Sequence, residues 1–262
     1  MGQYVFDHNW KKERARLANI ERMLDPFTIQ RLESFGVGAD WRCLEVGAGS
    51  GSIAEWLCGK VGPHGRVVAT DLQTKFLEAL QFPNLEVRRH DILRDGLETA
   101  SFDLVTARKV LEHLPNPALA LRRLVVALRP GGWILVEDAD FVSFMCVSAP
   151  RPELFRQAAP RFIEAMVSAG YQPYFGRELG CHMRNLGLSK VHMEGRTGEW
   201  NCGGTQASGT LFELTFERLR DRVVEAGLLS AQDADQFLTD IQSPEFTGIG
   251  PISFAAWGQK KV

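Results

Sequence analysis

The chain has 262 residues, room for one large α/β domain or for a domain with a modest lid. Its 45% hydrophobic and 24% charged residues are those of an ordinary globular protein and exclude a disordered or low-complexity chain. A formal net charge of −2 gives no overall field to draw nucleic acid or anionic lipid, so neither is expected as a partner.

Residues 1–40 read as an N-terminal helical arm. Trp10 to Leu24 sets Leu17, Ile20 and Leu24 on a charged background, and Asp25-Pro26 is expected to stop that helix and start another over Phe27 to Phe35. Lys11, Lys12, Glu13, Arg14 and Arg16 deny this stretch the apolar core of a secretory leader. Phe141 to Ala149, the least polar stretch outside the expected core strands, is too short to span a bilayer, so a cytoplasmic location is expected. Cys43, Cys58, Cys146, Cys181 and Cys202 are odd in number and never spaced CxxC. That pattern suits buried thiols in a reducing compartment and neither a disulfide framework nor a metal site.

From Trp41 short apolar runs alternate with amphipathic segments. Strands are expected at Arg42–Val46, Arg66–Thr70, Leu85–Arg89, Phe102–Ala107 and Trp133–Glu137, with a turn at Pro130-Gly131-Gly132 before the fifth. Helices are expected at Ser52–Val61, Lys75–Leu80 and Ala118–Leu128. This alternation over residues 41–140 predicts parallel βαβ units, hence an α/β, doubly wound, mainly parallel sheet with right-handed crossovers. Beyond Asp140, helices are expected at Pro152–Ala169 (kinked or split by Pro160), Arg177–Leu186, Thr210–Ala226 and Ala231–Gln242. Strands are expected at Lys190–Gly195 and Ile252–Gln259. Residues 141–262 thus read as lid helices plus the last strands of the same domain, and the apolar faces of the lid suggest a homodimer contact.

The central signal is Leu44-Glu45-Val46-Gly47-Ala48-Gly49-Ser50-Gly51, directly after a strand and before a helix. Glycines permit the tight turn and close backbone approach, and the helix N-terminus offers N–H donors for a phosphate or a carboxylate. A dinucleotide loop is expected as GxGxxG/A, whereas Ser52 stands at that third position, which weighs against a nicotinamide dehydrogenase. The pattern here is GxGxG with Glu45 two positions ahead of the first glycine. At this point the chain resembles the class I S-adenosylmethionine (SAM) dependent methyltransferases. Asp71 at the second strand end, His90-Asp91-Ile92 after the third, Phe102-Asp103-Leu104-Val105 and Leu128-Arg129-Pro130-Gly131-Gly132 match that family in order.

The resemblance covers residues 41–140 strongly and implies a seven-stranded sheet, its last strand antiparallel, that takes SAM and releases S-adenosylhomocysteine (SAH). It implies a cofactor site of Glu45, Gly47, Ala48, Gly49, Gly51, Asp71, Leu72, Gln73, His90, Asp91, Ile92, Ala107 and Arg108. Asp71 would accept the ribose hydroxyls, and Ala107-Arg108 would present backbone to the methionine portion. Arg14 of the arm would pair with the methionine carboxylate, and Tyr4 would face the substrate; an ordinary solvated helix is the other reading of that arm. Glu45 either faces the cofactor or caps the sheet edge, and Asp91 is also a common turn former. Leu111-Glu112-His113-Leu114, with the arm and the loop, resembles small-molecule methyltransferases common in actinobacteria, many of them in natural-product pathways. His113 is read as a general base or a helix-end histidine, and Asp138 as a substrate-polarising carboxylate or a partner in a lid ion pair. Phe141 and Phe144 suggest an apolar or aromatic acceptor, though core packing explains them equally. The function expected is methyl transfer to an O, N or C atom of a small hydrophobic metabolite. Protein methylation, and a SAM binder repurposed as a cyclase or regulatory module, remain open.

Overall fold

The computed structural model describes residues 10–201 and 207–262. In chain order, α1 (Glu13–Ser34) leads to β1 (Arg42–Val46), α2 (Ser52–Val61) and β2 (Arg66–Asp71). A short 3₁₀ turn (Leu77–Ala79) precedes β3 (Leu85–Arg89) and β4 (Phe102–Arg108), and a second (Leu111–His113) precedes α3 (Pro117–Ala127). Then come β5 (Leu128–Asp140), β6 (Met145–Ser148), α4 (Pro152–Val167), α5 (Leu179–Asn185), β7 (Ser189–Arg196) and β8 (Glu199–Trp200). The chain closes with α6 (Ala207–Glu225), α7 (Ala231–Ile241), β9 (Thr247–Ile249) and β10 (Ile252–Gln259).

Two compact units form. The sheet unit comprises Leu24–Ala139, Tyr174–Gly195 and Ser253–Val262; the helical unit takes the described parts of residues 1–23 and 196–252 together with Asp140–Pro173. Packing therefore cuts across chain order, and α1 belongs to one unit before Met23 and to the other after it.

The sheet unit is built on seven strands in the order β3-β2-β1-β4-β5-β10-β7. β1 pairs in parallel with β2 and β4, setting Leu44 opposite both Val68 and Val105; β2–β3 and β4–β5 are also parallel. Lys260, just past β10, donates to the Gly132 carbonyl and accepts from the Gly131 N–H at the start of β5, both at 2.9 Å. The end of β10 therefore lies at the beginning of β5, and β10 runs against its neighbour. Strand order reverses between β1 and β4, the place where open α/β sheets bind ligands beyond their carboxyl ends.

Four successive buried residues, Cys43 to Val46, mark β1 as a strand covered on both faces. Leu44 and Val46 join one apolar cluster with Leu121, Leu124 and Phe175, while Cys43 joins the other with Leu32, Ile53 and Leu57. The helical unit packs a separate aromatic core of Phe155, Phe162, Trp200, Phe212, Phe216, Phe237 and Phe246. Beside it, β6, β9 and β8 form a small sheet whose strands of two to four residues carry too little pattern to be read from sequence.

Several expectations are corrected. Pro26 does not end the first helix, and Pro160 does not split α4; each lies inside a continuous helix. At Pro26 the anchored side chains of Asp25 and Thr28 offset the lost hydrogen bond. Lys75–Leu80 is no helix but the turn Leu77–Ala79, because one turn alone has too few bonds to offset nucleation, and Leu77 and Leu80 serve instead as packing against Gly51. The turn at Pro130-Gly131-Gly132 is absorbed into β5 as a register shift between its Phe102 and Leu104 pairings. Cys43 and Cys58 are buried thiols, as read, but Cys181 is exposed, and Cys202 lies outside the described residues. Among the described residues no helix is long and apolar enough to cross a membrane.

Candidate active site

The site assembles at the carboxyl ends of β1, β2, β4 and β5. Gly47, Gly49 and Gly51 hold φ of 69°, 59° and 91°, the left-handed region where a side chain is costly. Space forbids one as well. A Cβ on Gly47 would lie 2.2 Å from Val110 Cγ2, and one on Gly51 would lie 2.5 Å from Leu80 Cδ1. The Gly47 and Ala48 N–H groups donate to the Thr70 carbonyl at 2.8 and 3.0 Å, pinning the loop to β2. Gly51 caps α2 without a side-chain bond.

Asp71 closes the loop from the other side. Its Oδ2 accepts the Gly49 N–H and its Oδ1 the Gln73 N–H, both at 3.0 Å. Leu72 beside it is 42% exposed, an apolar side chain facing solvent at the sheet edge. His90 is buried, with Nε2 3.2 Å from the Gly96 carbonyl and Nδ1 without a hydrogen-bond partner. Asp91 caps its own turn through Leu93 N–H, which is the turn-former reading, and Ile92 is buried in the core cluster.

Glu45 lies within β1, and its carboxyl is capped from α2 by the Ala54 N–H while Oε2 has no hydrogen bond. Burial pushes its pKa up to about 8 against the pull of Arg108, and the charges of Asp25 and Asp71 add to the rise. Arg108 was expected to offer backbone; its side chain is the larger contribution. The guanidinium pairs with Asp25 Oδ1 at 2.7 Å and donates to Thr28 Oγ1 at 3.0 Å. Thr28 in turn donates to the buried Glu137 at 2.6 Å, and Ser52 donates to Asp25 at 3.1 Å. Asp25 and Thr28 flank Pro26, so the proline-bearing turn of α1 is tied to β4 and β5 by its polar neighbours. Sequence reading missed Asp25, Thr28, Ser52 and Glu112. Helical periodicity marks apolar positions, and polar groups turned inward give no such signal.

On the other flank of β4, Lys109 adopts φ 56° and its N–H donates to the Glu137 carbonyl at 2.7 Å. Asp138 is wholly buried and accepts the Val110 N–H at 3.1 Å, while Glu112, also buried, accepts the Ala139 N–H. His113 is half-buried with Nε2 3.7 Å from Glu112. Ala107 is a fully buried sheet residue. Arg14 is exposed and pairs with Glu21 of its own helix at 3.3 Å. Phe141 packs on Phe144 and Tyr171, and Phe144 on Trp200 and Phe212, all within the helical unit. Tyr4 lies outside the described residues.

The chain is similar to known proteins. A family described as a methyltransferase domain matches residues 44–136. Methyltransferase str3 of Strobilurus tenacellus is 31% identical over 72% of this chain and 66% of its own length. A crystal structure of a putative methyltransferase from Bacillus halodurans covers 89% of this chain and 98% of itself with a TM-score of 0.58 at 17% identity. Residues 44–136 form a methyltransferase domain, and the chain carries the class I methyltransferase fold. The family match runs from β1 into β5 and takes in the glycine loop, Asp71, Arg108 and Glu112 but not Asp25, Thr28 or Asp138. A ubiquinone biosynthesis O-methyltransferase of Paraburkholderia phytofirmans is 29% identical over 72% of this chain and 81% of that protein. The chain spans 66% of the length of the Strobilurus methyltransferases str2 and str3.

Proposed function

We propose that the protein transfers a methyl group from SAM to an O, N or C atom of a small hydrophobic or aromatic metabolite and releases SAH. The observation that carries this reading is Asp71 bonded to Gly49: a carboxylate and a glycine loop from adjacent strands held as one unit. The residues fit the cofactor. The cradle left by Gly47 and Gly51 is closed to side chains, so backbone can approach a ligand closely. In this reading Asp71 accepts ribose hydroxyls, exposed Leu72 lies against the adenine and His90 Nδ1 meets a polar edge. When bound, SAM supplies the electrophile, a methyl on a sulfonium.

The chain's own work is then to orient and to keep the site dry, and good alignment alone is worth about 7–11 kcal/mol of barrier. His113, half-buried beside Glu112, takes the proton of a hydroxyl or amine acceptor. The relative named for ubiquinone O-methylation favours oxygen among the three atoms. Natural-product chemistry in the cytoplasm is the setting we favour, with a free metabolite as acceptor and not a nucleic acid, in keeping with a net charge of −2. A homodimer is part of the same proposal. The test is calorimetry with SAH on the wild type and on Asp71→Ala. Binding weakened at least about tenfold, the loss of one or two charged hydrogen bonds, supports the assignment. No heat from well-folded wild type would overturn the reading.

A further inference from the structure

Asp138 stands where sequence reading sought a group to polarise the acceptor, yet no part of it reaches solvent. It serves a different set of contacts. Three hydrogen bonds run between the turn after β4 and the end of β5: Lys109 N–H to the Glu137 carbonyl, Val110 N–H to Asp138 Oδ1, and Ala139 N–H to Glu112. The last two are reciprocal, each segment offering one carboxylate and one N–H. The turn they hold contains Lys109 in the left-handed region, a conformation a non-glycine residue keeps only when its surroundings impose it. It also carries Val110, the side chain that fills the space over Gly47.

We propose that Asp138 and Glu112 form a buried cross-strap that positions Val110 over the glycine loop and His113 beside Glu112. Asp138 then acts on methyl transfer through this turn, as a positioning residue, without touching the acceptor. The inference rests on the methyltransferase reading above.

The charges around the strap decide how it responds to pH. Burial holds Asp138 well above the usual carboxylate range, and the neighbouring Glu112 adds to the rise while Lys109 opposes it. His113 lies beside Glu112, and Glu137 next along β5 is buried too. The turn at Phe175–Glu178 packs Gly176 against the Asp138 and Ala139 carbonyls, with its Arg177 and Glu178 turned to solvent. Burial and the neighbouring Glu112 therefore disfavour the charged form of Asp138. Raising the pH ionises it against Glu112, and the strap loosens.

Two measurements test this on the full chain, with SAH as the probe. Asp138→Ala should speed amide exchange at Val110 and Ala139 at least about tenfold without ligand and weaken SAH about tenfold, while Asp138→Asn, which keeps an acceptor for Val110 and cannot ionise, rescues both. SAH affinity of the wild type should fall as pH rises, and the fall should be shallower in Asp138→Asn, where Glu45 alone of the two still titrates. If Asp138→Ala fails to fold, the two pH profiles decide alone. Unchanged exchange in Asp138→Ala, or identical profiles for wild type and Asp138→Asn, would overturn the strap. Failure of the wild type to bind SAH while exchange responds as expected removes the methyltransferase reading and leaves the strap as architecture.

Discussion

The two units treat buried acid differently. In the helical unit Glu13 is gripped by Arg16 at 2.8 and 2.7 Å, Asp240 by Arg151 at 3.0 and 2.6 Å, and Asp140 caps the Val142 N–H. In the sheet unit Asp103 is likewise paired with Arg129, but Glu45, Glu112, Glu137 and Asp138 are buried at or just past the carboxyl ends of strands, and Glu45 Oε2 and Asp138 Oδ2 have no hydrogen bond. Dehydrating a carboxyl without a cation is unfavourable, so such groups survive where something other than stability keeps them. The aromatic core shows the opposite priority. Phe162, Phe216 and Phe237 meet pairwise with centroids 5.0 Å apart, an arrangement worth about 0.5–1.5 kcal/mol per pair beyond area burial. One unit is built for cohesion and the other carries tension at a site.

Substitutions in each unit should separate the two. The largest effect is expected at Gly47→Ala, where a methyl meets Val110 in a backbone conformation alanine disfavours. SAH affinity by calorimetry should drop at least about a hundredfold, with about 2–4 kcal/mol of stability lost in denaturant unfolding. Phe162→Ala should cost about 3–5 kcal/mol of stability yet leave SAH affinity within about threefold. A matching loss of affinity would show that the units do not divide the labour. Glu45→Gln should act on the pH dependence of stability, with little effect at low pH. Because burial raises the folded pKa of Glu45 to about 8 from 4.5, its favourable contribution is complete below 4.5 and is lost as pH rises through 8. Wild-type stability should fall across that window by up to about 1.4 kcal/mol per pH unit, and the glutamine variant should follow a flatter line in thermal melts.

Much of the sheet unit was legible in the sequence because its signals are local. The loop glycines, Asp71 and the strands at Arg42–Val46 and Leu85–Arg89 follow from run length, alternation and spacing. What escaped depends on contacts between segments far apart in the chain. Asp25 meets Arg108 and Glu112 meets Ala139 across such distances, and a proline between Asp25 and Thr28 looks like a break until its neighbours are seen to be anchored. The helical unit was read as helices but not as a core, since aromatics at Phe155, Trp200 and Phe246 converge only in three dimensions.

Asp71 has a last implication, for the thermodynamics of recognition. With both oxygens already engaged by loop amides, the side chain has no rotameric freedom left to surrender when a ligand arrives. Immobilising a side chain at binding ordinarily consumes about 0.5–1.5 kcal/mol, and here that ordering was completed when the protein folded. On the proposed function, preorganisation of this kind leaves the full strength of the incoming hydrogen bonds to appear as affinity.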